Sequence, residues 1–130
     1  MRFLGIDYGK KRVGLALSDE SGTLAFPYKT LFNSKDLIEE ILKIYKKEKV
    51  DNIVLGRSQT LKGEDNPIMK DIKIFKEKLE NKINTSIYLE SEFFTTVEAF
   101  KIQGVNNNVD ASAAAIILQR FLEKYNFGDT

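Results

Sequence analysis

The chain has 130 residues, a formal net charge of +1 and no cysteine, histidine or tryptophan. Disulfides, thiol nucleophiles, Cys/His zinc sites and Ser-His-Asp relays are thereby excluded, which leaves carboxylate and lysine chemistry. At 42% hydrophobic, the length fits one domain, 1–130, with its own core; no apolar stretch approaches a membrane span and no signal-peptide pattern opens it, so a cytoplasmic location is expected, and any nucleic-acid contact must come from a local basic patch.

Phe3, Leu4 and Ile6 predict a short buried strand that ends on Asp7, and Val13 to Leu17 predict its hairpin partner beyond the basic turn Lys10-Lys11-Arg12. A carboxylate at the rim of an apolar strand is costly unless a cation, a set of donors or a metal compensates it. The plainer reading is a turn in which Asp7 accepts from the amides of Tyr8 to Lys10. Gly22 marks a second turn, and Thr23 to Leu31 reads as an edge strand that tolerates Pro27. A helix follows, with Ser34 as N-cap, a stripe of Leu37, Ile38, Ile41, Leu42 and Tyr45, and a solvated lysine face at 43, 46, 47 and 49. Asn52 to Gly56 predicts a fully buried strand. Asn66 and Pro67 then predict a cap and first helical residue for a stripe of Ile68, Ile72, Phe75, Leu79 and Ile83. Thr85 to Leu89 reads as the last strand. Thr95-Thr96-Val97-Glu98 has the form of a capping box for a third helix, and Asp110 heads an alanine-rich fourth that runs to about Tyr125.

Three strands, then helix, strand, helix, strand and two helices, is an α/β order. It predicts a mixed five-stranded sheet, a three-strand antiparallel edge plus parallel strands, flanked by helices. The carboxyl ends of the parallel strands then gather on one edge, where such folds place ligands. Asp7 ends the first strand, Glu92 lies just past the last, and Asp110 begins the final helix. If the three carboxylates converge, their repulsion calls for a divalent cation, and an all-oxygen set suits Mg²⁺ or Mn²⁺. Taken singly, Asp110 is equally a helix cap and Glu92 an exposed strand-end charge.

The segments GIDYGKKRVGLALSD (5–19), IVLG (53–56), ESEFFTTVEA (90–99) and VDASAAAIILQ (109–119) together resemble the YqgF (RuvX) family, in order and over nearly the whole length. That resemblance implies an RNase H-like fold and a metal-dependent endonuclease of the Holliday-junction-resolvase and pre-16S-rRNA-nuclease kind, with catalytic and metal-binding carboxylates at Asp7, Glu92 and Asp110. The chain departs from the family pattern at Ser91-Glu92-Phe93, where Asp-Glu-Arg is usual, and at Asn106-Asn107-Asn108, where lysines are usual. Both departures remove charge from the site. Glu90 is on the face of Glu92 but about 7 Å back along the strand, a poor substitute for the missing acid. Arg57-Ser58 stands where Leu-Pro is common and adds a cation.

Lys10, Lys11 and Arg12, next to Asp7, and Arg57, at the end of the second buried strand, are the candidate nucleic-acid contacts; the alternative for the turn is a solvated hairpin tip. Three functions are thus set against one another. The first is a nuclease acting on structured RNA or branched DNA, as monomer or homodimer, with Mg²⁺ or Mn²⁺. The second is a catalytically weakened nucleic-acid-binding factor in ribosome maturation. The third, a phosphate-binding ATPase of the actin and sugar-kinase kind, requires two large lobes and a longer chain.

Overall fold

A computed structural model describes residues 1–59, 62–91 and 109–127. Five strands, β1 (Phe3–Tyr8), β2 (Arg12–Ser18), β3 (Ala25–Phe32), β4 (Asn52–Arg57) and β5 (Ile87–Ser91), form one sheet in the order β3-β2-β1-β4-β5. β2 is antiparallel to β1 and β3, whereas β4 is parallel to β1 and β5. The mixed sheet read from the element order is therefore the one found. Helices α1 (Leu37–Lys47) and α2 (Met69–Glu80) supply the two crossovers, and α3 (Val109–Phe127) follows. The helix expected from Thr95 lies outside the described residues.

Strand alternation divides the core in two. Leu4, Ile6, Val13, Leu15, Ile53 and Leu55 point to the α1 and α2 side and pack with Leu37, Ile41, Ile72, Phe75 and Leu79. Phe3, Ala16 and Val54 point the other way and pack with Ala114, Ile117, Leu118 and Leu122. Small residues line that second face. A Cβ on Gly5 would lie 2.8 Å from Leu118 Cβ and 3.1 Å from Ala114 O, so β1 and the middle of α3 approach closely. Burying side chains such as Ile117, Leu118 and Leu122 is worth about 1.5–3 kcal/mol each, which far outweighs any surface ion pair in holding α3 on the sheet.

Polar bonds set the position of α3 along the sheet. The Gln119 side chain accepts from Ala25 N at 2.9 Å and donates to Thr23 O at 3.1 Å, while Asn126 Nδ2 donates to Gly22 O at 2.8 Å. That turn is itself held by Asp19, whose carboxylate accepts from the Thr23 and Leu24 amides.

Three local expectations are corrected. The Ser34 hydroxyl accepts from Asp36 N at 3.2 Å, so it stabilises the turn before α1, and the residue at the cap is Asp36. Asn66 does not cap α2, because its side-chain amide donates to Ser58 Oγ at 2.9 Å; Asn66 and Pro67 instead form a turn and the helix begins at Met69. β5 starts at Ile87, two residues later than read, with the Thr85 hydroxyl donating to Asp51 O.

Candidate functional site

Asp7 is half-buried near the end of β1, the central strand, and its register partner across the hairpin is Gly14. By alternation Asp7 shares the face of Phe3 and Gly5, the face that α3 covers. Gly14 is where α3 begins. A Cβ on Gly14 would fall 2.0 Å from Asp110 O and 2.9 Å from Ala111 N, so the first turn of α3 rests directly on the backbone of residue 14. Asp7 and Asp110 are thus brought to one spot through a glycine that leaves room for both. The helix adds the positive end of its dipole there, which favours carboxylates and other anions.

Arg12 completes this corner. Its Nε is 3.3 Å from Asp110 Oδ2, with 64% of the arginine and 36% of the aspartate side chain exposed. Arg12 is therefore attached to a candidate ligand and does not simply project into solvent. Lys10 and Lys11 are exposed at the hairpin tip. The tip is braced by Asn33, whose amide side chain donates to Gly9 O at 2.8 Å and whose backbone N donates to Lys11 O.

On the other side of Asp7 the sheet continues with β4 and β5. Gly56 follows Leu55, the partner of Ile6, and Gly56 in turn pairs with Glu90. Glu90 is 6% exposed and its Oε2 accepts from Lys124 Nζ at 2.7 Å. That pairing ties β5 to α3 and commits Glu90 to a structural ion pair. Glu92 lies outside the described residues, as do Phe93 and Asn106 to Asn108. Arg57, expected as a phosphate contact, is held by Asp65, with Nε and Nη2 both 3.1 Å from Oδ1, and Lys73 Nζ approaches the other oxygen at 3.7 Å. Arg57 holds the Asp65 carboxyl below the ordinary carboxylate range, chiefly through that hydrogen bond.

Among the described residues no group of three acidic side chains is gathered, while Asp7 and Asp110 are juxtaposed. Three participants escape the sequence reading: Gly14, Asp65 and the Glu90–Lys124 pair. Only Gly14 leaves a signal, since a glycine inside the apolar run RVGLALS marks a close backbone approach.

Residues 1–124 match the family model described as RuvX: Holliday junction resolvase. The chain belongs to the RuvX family. A relative from Maridesulfovibrio salexigens, named "Putative pre-16S rRNA nuclease", is 37% identical over 134 aligned positions that cover 95% of this chain and 99% of that protein. Among solved structures, RuvC of T. thermophilus in complex with a Holliday junction substrate aligns with a TM-score of 0.61 at 12% identity, over 96% of this chain and 95% of that one. Fowlpox virus resolvase with its Holliday junction DNA aligns with a TM-score of 0.61 at 15% identity, over 97% and 99%. At such low identity the likeness is one of fold, and the fold is RNase H-like. RuvX membership places the chain in a nuclease family. No helix among the described residues is long and apolar enough to cross a membrane.

Proposed function

We propose that this protein is a metal-dependent endonuclease that acts in the cytoplasm on structured nucleic acid, either at the 5′ end of pre-16S rRNA or on Holliday-junction-like DNA. The observation that carries this reading is the placement of Asp7, on the central strand, beside Asp110, seated over Gly14 at the start of α3. The relative's name refers to an RNA and the resolvase titles to a DNA junction. What the two share is a structured phosphodiester backbone, and that is the proposed substrate class.

The donor set fits a hard divalent ion: Asp7 and Asp110 offer carboxylate oxygens, and the chain has no histidine or cysteine to favour a softer metal. Asp7, Glu92 and Asp110 are the residues that would hold Mg²⁺ or Mn²⁺. When bound, such an ion lowers the pKa of water and neutralises charge on the departing oxygen. The remaining work belongs to the chain itself. The register of β1 against β2 and the seat of α3 on Gly14 fix Asp7 and Asp110 relative to one another before substrate arrives, which removes an ordering cost from the reaction. Lys10 and Lys11, on a tip braced by Asn33, would hold the sugar-phosphate backbone beside the carboxylates. Arg57 would contribute through the Arg57–Asp65–Lys73 cluster, which carries one net positive charge.

A second reading keeps the fold and the basic tip but weakens catalysis, giving a binding factor in ribosome maturation. Ser91, Phe93 and Asn106 to Asn108 favour it, because they stand where family members carry charge. Incubation with junction DNAs and ribosomal precursor RNAs decides between the two. Cleavage that needs Mg²⁺ or Mn²⁺, is silent with Ca²⁺ and falls by orders of magnitude in Asp7→Asn while binding persists supports the nuclease. Binding without cleavage, with metal-dependent cutting gained by Ser91→Asp plus Phe93→Arg, supports the binding factor.

A further inference from the structure

Arg12 and Asp110 stand on different elements, the start of β2 and the first turn of α3, and meet at 3.3 Å. Arg12 follows the two exposed lysines of the tip, so it is within the same basic surface, yet its guanidinium is turned to a carboxylate. Arg12 is largely exposed and Asp110 partly so, and a surface ion pair of this kind is worth about 0–1 kcal/mol. A bond that weak holds a side chain in one place without locking it there. We propose that Arg12 is a partner-exchanging residue: it neutralises Asp110 in the free protein and transfers to a substrate phosphate when Asp110 acquires another positive partner. This rests on the nuclease reading for the role of Asp110, and it adds a route by which occupation of the carboxylates and capture of the nucleic-acid backbone are coupled.

A guanidinium whose charge is offset by Asp110 attracts a phosphate less than one without a carboxylate partner. While Asp110 holds Arg12, the tip presents two free lysines to a phosphate backbone; once Asp110 is satisfied otherwise, it presents three cations. Coupling of this kind is reciprocal, so whatever frees Arg12 tightens nucleic-acid binding, and bound nucleic acid eases the departure of Arg12 from Asp110. Arg12 here is a positioning residue, since it acts on the reaction through Asp110 and through the phosphate backbone.

A double-mutant cycle in EDTA tests the exchange without calling on catalysis. Binding of a fluorescent four-way DNA junction and of a hairpin RNA is measured against salt for the wild type, Arg12→Ala, Asp110→Asn and the double variant. In the wild-type background Arg12→Ala changes affinity by less than about 2-fold, because Arg12 is engaged elsewhere. In the Asp110→Asn background the same change weakens binding by about 5-fold or more and lowers the salt slope by about one unit, the loss of one phosphate contact. Equal effects of Arg12→Ala in the two backgrounds overturn the proposal, as does a chain that binds neither nucleic acid. Mn²⁺ titration without nucleic acid gives a second arm: Arg12→Ala tightens Mn²⁺ binding by about 2- to 5-fold, because Asp110 loses its competing cation. An unchanged Mn²⁺ affinity overturns the exchange. Absence of cleavage with the binding cycle intact would defeat the nuclease reading alone.

Discussion

Gly14 carries the start of α3 on its own backbone: the space a side chain would fill is 2.0 Å from Asp110 O. No real Cβ tolerates such a distance, and the atom in the way is backbone and cannot rotate aside. Gly14→Ala is therefore expected to lift the first turn of α3 off β2, costing about 1–3 kcal/mol and displacing Asp110 from Asp7. Urea denaturation gives the first quantity. The second is read from the site: cleavage or metal binding falls much further than stability alone explains. A Gly14→Ala protein with wild-type stability and wild-type metal affinity would refute the seat.

Glu90 and Lys124 make the complementary contact on the same α3-covered face, toward the β5 edge of the sheet. The glutamate is buried and the lysine is exposed, so removing the lysine strands the less tolerant partner. Lys124→Met is expected to destabilise the fold by about 1–3 kcal/mol, a range kept low because water reaches the lysine side. Glu90→Gln, which keeps the shape and a hydrogen-bonding group, should cost less. Chemical denaturation of the two variants checks the order. If Glu90→Gln abolished metal binding without loss of stability, Glu90 would be a ligand and its structural role would be secondary.

The sheet was legible because its signals were local and consistent. Apolar runs of strand length alternated with helical stripes, and two strand-helix-strand units permit few topologies. Asp7 was legible for the opposite reason, as a charge where the pattern demanded an apolar residue. The corner formed by Arg12, Gly14 and Asp110 was not, because residues about a hundred positions apart meet there through an ion pair and a close backbone approach, neither of which carries a periodicity. Arg57 was read as a nucleic-acid contact because its partner Asp65 is 8 residues further on, a pairing that no local rule gives. The same limit explains Asn66, a good helix cap by composition whose amide is taken by Ser58.

The Arg57–Asp65 pair has a pH signature. Asp65 titrates below its ordinary value because Arg57 hydrogen-bonds the charged form, so its contribution to stability is present above the unfolded-state pKa and is lost as pH falls through the folded-state value. Arg57→Ala should move the Asp65 titration upward toward that of an ordinary aspartate, seen in the carboxyl carbon shift by NMR. Because the group is exposed, the accompanying change in acid stability should be small. An Asp65 titration indifferent to Arg57→Ala would contradict the pairing and leave Arg57 free for phosphate.

Lys10 and Lys11 are expected to act through charge alone. Changing both to Ala should weaken binding to branched DNA and to structured RNA alike and reduce the salt slope by about two units, with the melting temperature unchanged, since neither side chain is buried. Gel-shift titrations at several salt concentrations measure this. An unaltered slope would identify the tip as a solvated turn and shift attention to the Arg57 side of the site.

The last prediction concerns the carboxylates themselves. Asp7 and Asp110 stand at one corner of the sheet, and a divalent ion that binds there only in the folded chain stabilises the fold by mass action. At a free concentration about 100 times the dissociation constant the gain is about 2.7 kcal/mol. For a chain of this length that corresponds to a rise in melting temperature on the order of 10 °C. Mn²⁺ or Mg²⁺ should therefore raise the melting temperature of the wild type strongly and that of Asp7→Asn or Asp110→Asn little. Glu92→Gln should behave as the two aspartate variants do if Glu92 completes the ligand set, and as the wild type does if it does not. An equal rise in all four proteins would place the ion elsewhere on the surface and remove the shared site.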